Sequence, residues 1–131
     1  MRELAKKINK KYVIEKEKVE IKVNEAKVEN NILKVKTTIK NKNKDSVCKI
    51  SLVASFYNEK NKLVGEAIKT TNDDLMIQPK SSSDEIFEFK INDEKFDYII
   101  FGIYTFDVFV KIEGFENTKI EVMDITRQYY L

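Results

Sequence analysis

The side chains that could do chemistry in this 131-residue chain are lysines and carboxylates, because it contains no histidine and only one cysteine. Without an imidazole, Ser–His and Cys–His nucleophile pairs and His-based metal sites are excluded. Cys48 shares strand parity with Ile50 and Leu52, which makes it a small core hydrophobe rather than a reactive thiol. The three glycines stand apart from one another, so no glycine-rich phosphate loop exists. No cofactor motif is present, and the chain is read as non-enzymatic.

Two charged constellations remain. Lys34, Lys36 and Lys40 project from one side of a predicted strand, Lys42 and Lys44 continue into the following loop, and Lys22 is a candidate neighbour. Such a stripe either solvates an edge and discourages aggregation, or docks an anionic polymer such as a wall polymer, lipid headgroups or nucleic acid. Nucleic acid fits worst, because only two arginines are present and no aromatic residues interleave with the lysines. The second constellation is a set of acidic pairs at Asp73-Asp74, Asp84-Glu85 and Asp93-Glu94. Oxygen-rich loops at one end of a sandwich can hold calcium. The spacing matches no EF-hand, however, and solvated loop charge is the commoner reading, so no metal site is assigned. Paired carboxylates could also serve acid–base chemistry, but no nucleophile accompanies them.

The elements that must position these groups are strands. Leu33, Val35, Thr37 and Ile39 alternate with Lys34, Lys36, Thr38 and Lys40, the period of two expected of a sheet with one buried face. Val13 to Val28 reads as an earlier strand whose parity slips near Asn24-Glu25, predicting a bulge, and Asn30-Asn31 is a turn. Val47 to Tyr57 places Cys48, Ile50, Leu52, Ala54 and Phe56 on its buried side, with Val53 and Tyr57 enriching the other. After a turn over Asn58 to Asn61, a fourth strand runs from Lys62 to about Thr70. The connection from Thr71 to Asp84 holds the only proline, with Leu75 and Ile77 tucked under an edge. Phe87, Phe89 and Ile91 form a short strand before a polar corner at 92–97. Tyr98 to Ile112 forms a long central one, a turn at Gly114 follows, and Thr118 to Met123 is the last strand. About seven strands without βαβ alternation predict an all-β, immunoglobulin-like antiparallel sandwich. Residues 1–12 are a basic lead-in, a short helix or frayed, since Leu4, Ala5 and Ile8 have helical spacing. Residues 13–124 form the sandwich. Residues 125–131 are a tail whose aromatic end, Tyr129-Tyr130-Leu131, either covers an edge or meets a partner.

Composition bounds the rest. The length supports one core but not two, and a single cysteine forbids an intrachain disulfide. Residues 1–65 carry 17 Lys/Arg and 8 Asp/Glu, a net of +9. Residues 66–131 carry 7 and 14, a net of −7. A basic patch and an acidic patch follow if the halves separate in space. The N-terminus lacks the apolar core of a signal peptide. The most apolar run, Tyr98 to Ile112, is broken by Asp107 and falls short of the roughly 20 residues a spanning helix needs.

Ile32 to Ile91 resembles the FxLYD-type immunoglobulin-like domains of bacteria. The matching residues are the strand end Ile39-Lys40-Asn41, the strand end Ser55-Phe56-Tyr57-Asn58, and Leu63-Val64-Gly65. The Leu75 to Pro79 stretch follows, just before Phe87-Glu88-Phe89. The resemblance covers about half the chain and implies an accessory, non-enzymatic domain of an exported or envelope protein with an unidentified protein partner. The lack of a leader keeps a second reading open, a cytoplasmic inhibitor or immunity-type protein whose acidic half caps a basic partner. Binding of a small ligand between the sheets is a third. The expected working surfaces are the Lys34/Lys36/Lys40 face, extended by Lys42 and Lys44, and the Thr71 to Asp84 loop with Asp73 and Asp74.

Overall fold

The computed structural model describes the backbone of residues 6–8, 12–91, 96–112, 115–122 and 126–130, and the side chains of 13–91 and 96–108. It is an all-β protein built from antiparallel sheets, with no helix among these residues. In chain order the strands are β1 (Lys6–Ile8), β2 (Tyr12–Lys16), β3 (Val19–Glu29), β4 (Ile32–Asn41), β5 (Val47–Cys48), β6 (Ser51–Tyr57) and β7 (Leu63–Thr70). They continue as β8 (Met76–Ile77), β9 (Ser82–Lys90), β10 (Tyr98–Ile103), β11 (Phe106–Ile112), β12 (Phe115–Val122) and β13 (Thr126–Tyr130).

One layer is the sheet β3–β4–β9, with β1 and β2 both paired to the free side of β3. β4 alternates perfectly, with Leu33, Val35, Thr37 and Ile39 buried and Lys34, Lys36 and Lys40 exposed. The parity slip in β3 is a bulge between Val23 and Glu25. It returns Ala26 and Val28 to the core after Val19, Ile21 and Val23. Asn30 and Asn31 both take positive φ, at 53° and 62°, the left-handed turn geometry that asparagine tolerates and that matches strand twist.

The opposite layer is made by two long runs that bend together. β5 and β6 are one run interrupted at Lys49-Ile50, and β10 and β11 are one run interrupted at Tyr104-Thr105. β6 pairs with β10 and β5 with β11, so the interruptions lie side by side. Lys49 has φ of 50°. At the bend the backbone is bonded from both flanks. Ser51 donates its N–H to the Thr105 carbonyl and accepts from Tyr104, each at 2.8 Å. Ile50 accepts from the Thr71 N–H at 3.0 Å and donates to the Thr71 hydroxyl at 3.1 Å. Buried Lys16, 6% exposed, reaches across the layers to donate to the Tyr104 carbonyl at 3.0 Å.

Between the layers Ile14, Ile21, Leu33, Val35, Phe87 and Phe89 meet Ile50, Leu52, Phe56, Ile99, Phe101 and Phe106 in one apolar core. Ser51, Val53 and Ser55 are buried too, so both faces of β6 are covered, as a central strand requires. Asn41 is fully buried at the end of β4. Its amide donates to the carbonyls of Asp45 (2.7 Å) and Ile77 (3.0 Å), and its Oδ1 accepts from the Asn43 N–H (2.8 Å). One side chain thus ties the β4–β5 loop to β8.

Several expectations change. Lys6–Ile8 is a strand paired with Ala26–Val28, not part of a helix, because β3 offers an unpaired edge that a short isolated helix cannot match. Leu4 and Ala5 lie outside the described residues. The single strand expected over Val13 to Val28 is a hairpin. Glu17 and Lys18 turn it with φ of 46° and 64°, positions usually signalled by Asn or Gly. The strand expected at Phe87 begins at Ser82, because its polar first half still pairs with β4. Among the described residues thirteen strands stand where about seven were expected, through the hairpin, the two bends, the short β1 and β8, and β13. Thr126–Tyr130 pairs with β10, so this part of the tail joins the sheet. The Gly114 turn, Asp93-Glu94 and Leu131 lie outside the described residues. Leu75 and Ile77 pack as expected, Ile77 buried and Leu75 against the core.

Asn41→Ala removes a side chain holding three buried or partly buried backbone groups, and is expected to cost about 2–4 kcal/mol. Phe101→Ala, which empties a fully buried ring site, is expected to cost about 3–5 kcal/mol. Urea unfolding monitored by circular dichroism measures both.

Candidate functional site

Of the lysines singled out by sequence, Lys22, Lys34, Lys36 and Lys40 share one surface, the outer face of the β2–β3–β4–β9 sheet, while Lys42 and Lys44 lie beyond the end of β4. Strand register decides what stands beside each. Lys34 lies between Lys27 and Glu88, Lys36 between Glu25 and Ile86, and Lys40 between Glu20 and Ser82. Lys22 faces Thr38, whose other neighbour is Asp84. Among the described side chains this face carries six carboxylates (Glu15, Glu20, Glu25, Glu29, Asp84, Glu88) and six lysines (Lys22, Lys27, Lys34, Lys36, Lys40, Lys90), with Lys42 at its end. The stripe is therefore one line of a charge-balanced mosaic. The acids come from both halves of the sequence, so on this face the two halves do not separate into poles.

Polar contacts stitch the mosaic together. Asn24, in the β3 bulge, donates to the Thr38 hydroxyl at 2.9 Å, and that hydroxyl donates to Asp84 Oδ1 at 2.8 Å. Lys36 stands 3.5 Å from Glu25. Lys27 and Glu29 pair at 2.8 Å, and the hydrogen bond and charge of each partner hold the Glu29 carboxyl below its ordinary range and push Lys27 up. Lys42 lies past the strand end, bonded to Glu15 at 2.7 Å and Glu20 at 3.2 Å, which raise its pKa in that order. Lys44 is exposed in the β4–β5 loop. A shallow groove of about 370 Å³ crosses the face over Glu25, Lys27, Glu29, Ile32, Lys34, Lys36 and Glu88.

The acidic candidates are not gathered. Asp73 and Asp74 are exposed in the turn between β7 and β8, and among the described residues no ion pair joins them to these lysines. Asp84 and Glu85 are neighbours on a strand, so their side chains leave by opposite faces. Asp84 takes the Thr38 bond, and Glu85 accepts from the Ser83 hydroxyl at 2.6 Å. Among the described residues no three His, Cys, Asp or Glu side chains are grouped so as to hold a metal ion, and Cys48 is buried.

Of the flanking acids only Asp84 was singled out by sequence reasoning; Glu15, Glu20, Glu25, Glu29, Glu88 and the exposed Ile32 and Ile86, 38% and 57% accessible, were not. The available signal was parity: Glu25, Lys27 and Glu29 alternate on β3, as do Asp84, Ile86, Glu88 and Lys90 on β9.

No family model matches the chain, and no curated protein does. Among solved structures it is similar to the X-ray structure of Northeast Structural Genomics Consortium target SoR45. Identity is 11% and the TM-score 0.43, covering 95% of this chain and 85% of that one. Among the described residues no helix is long and apolar enough to cross a membrane.

The Lys27–Glu29 pair makes a pH prediction. A lowered carboxylate pKa contributes stability above the ordinary carboxylate range and loses it as pH falls. A raised lysine pKa contributes below the ordinary lysine range and loses it as pH rises through the raised value. Lys27→Met is expected to return Glu29 upward to its ordinary titration, read by carboxyl ¹³C NMR. An unmoved Glu29 would reject the pairing.

Proposed function

We propose that the chain is a non-enzymatic protein-interaction or accessory domain that engages its partner through the outer face of the β2–β3–β4–β9 sheet. One observation carries this reading: each lysine of the Lys34/Lys36/Lys40 line has a carboxylate, an apolar side chain or a hydroxyl beside it in register. A polyanion needs a surplus of positive charge to release counterions. A balanced mosaic around exposed Ile32 and Ile86 instead favours a protein surface with a matching pattern, since charge complementarity sets specificity and register. The resemblance to FxLYD-type bacterial domains supports placing this function in an exported or envelope-anchored protein.

The anionic-polymer reading rests on the lysine line alone and needs a surplus of positive charge on a face where carboxylates stand among the lysines. The inhibitor reading needs an acidic pole, and on this face Asp84 and Glu88 do not form one, because they interdigitate with lysines of the first half.

The test has two parts. On immobilised heparin the chain is expected to elute below about 0.15 M salt. A photo-crosslinking residue replacing Lys36 is expected to yield a discrete protein adduct in native cells, in the membrane or exported fraction. Retention above physiological salt that is lost in the triple variant K34E/K36E/K40E would overturn the reading in favour of a polymer. An adduct confined to the cytosolic fraction would overturn the envelope placement.

A further inference from the structure

We infer that the outer edge of β9 is a docking site for an extended segment of the partner protein, one that carries basic residues on either side of an apolar centre. The inference rests on the protein-interaction reading and names the element that would do the binding.

β9 ends its sheet, and among the described residues no strand pairs with its far side. Its pairing with β4 runs from Ser82 to Lys90 without a register shift. The bonds bracketing this ladder, Asn41 N–H to Ser81 O and Ile91 N–H to Asn31 O, both at 2.9 Å, set its phase. In an antiparallel ladder alternate residues exchange bonds with the neighbour. Ser83, Glu85, Phe87 and Phe89 therefore face β4, while the N–H and C=O groups of Asp84, Ile86 and Glu88 point to the open edge. Proteins blunt such edges with bulges, proline or charged side chains, lysine above all. β7, the corresponding edge of the other layer, bulges at Val64, opposite Phe56 and Tyr57 of β6, with Gly65 beside it. Over Ser82–Glu88, β9 has no bulge, proline or lysine; its charges are acidic, and Ile86, 57% accessible, stands between Asp84 and Glu88, which keeps out a like-charged strand but not a basic one.

A receiving groove lies alongside. It encloses about 490 Å³ between the two edges, walled by Ala67, Ile68 and Phe89 with Lys69, Glu88 and Lys90 at the rim. An antiparallel strand added to β9 would place alternate side chains directly opposite Asp84, Ile86 and Glu88, and the residues between them into this groove. Cross-strand complementarity then calls for a basic, an apolar and a basic residue in alternation, with apolar residues entering the groove beside Phe89. A second copy meets resistance here: β9 against β9 about Ile86 sets Asp84 opposite Glu88 twice.

The probe follows from the register. A fluorescein-labelled nonapeptide, Glu-Val-Lys-Val-Val-Thr-Lys-Thr-Thr, pairs its lysines with Glu88 and Asp84 and its central valine with Ile86. Anisotropy with the full chain is expected to show saturable binding, with the Asp84, Ile86 and Glu88 amides gaining exchange protection. Ile86→Pro removes an edge-facing N–H and the exposed apolar side chain, neither of them bonded to β4, so cooperative unfolding is retained while affinity falls at least about tenfold. The double variant D84K/E88K is expected to reject this peptide and accept the one with both lysines replaced by glutamate. That exchange of preference distinguishes docking from misfolding. No saturable binding by the wild type, unchanged affinity in Ile86→Pro, or no exchange of preference would overturn the inference. Self-association in sedimentation that Ile86→Pro abolishes would overturn it in favour of a second copy. Each of these failures leaves the Lys36 crosslink free to succeed, so the broader reading stands or falls separately.

Discussion

The bend shared by β5–β6 and β10–β11 is the feature on which the rest of this sandwich depends. A sheet that bends loses ladder partners at the bend, and a buried backbone group without a partner costs as much as a lost hydrogen bond. Here the loss is made good. Thr71 bonds both backbone groups of Ile50, Ser51 exchanges bonds with Tyr104 and Thr105, and the Lys16 ammonium crosses the core to the Tyr104 carbonyl. Because these partners come from β2, from the end of β7 and from both bent runs, the bend locks the two layers to each other. Cys48 is buried and is the single cysteine of the sequence, so no intrachain disulfide assists.

Once the layers are locked, each strand's parity is committed. Fully buried Leu33, Val35 and Ile39 on one side oblige Lys34, Lys36 and Lys40 to the other. Asn41 then closes the end of β4 by satisfying the loop and β8 carbonyls with one amide. The outer face is left with interleaved charges of both signs, and its far boundary is the unbulged edge of β9. The same face thus couples a charge pattern to an accessible row of backbone donors and acceptors, the two ingredients of strand-wise recognition.

Much of this was legible in the residues. The β4 alternation, the bulge near Asn24-Glu25, the Asn30-Asn31 turn and the double-sided burial of the Val47 to Tyr57 run are local properties. Side-chain size and polarity at neighbouring positions specify them. The Glu17-Lys18 turn was not legible, because two left-handed residues there are neither glycine nor asparagine, and tertiary pairing imposes the conformation. The strand at Lys6–Ile8 was misread for a related reason. Three residues carry too little periodicity to choose between helix and strand, and the open half of β3 makes the choice.

What the amino-acid sequence determined alone is which face each side chain takes, since a period of two is set residue by residue along one strand. What only the tertiary structure decided is who stands next to whom. Lys36 meets Glu25 and Ile86 because three strands distant in the chain share one register. That register is fixed by core packing summed over the whole sheet, not by any local residue. The lysine line read as a basic stripe in one dimension and became a balanced mosaic in three, and the exposed edge of β9 exists only because the sheet ends there.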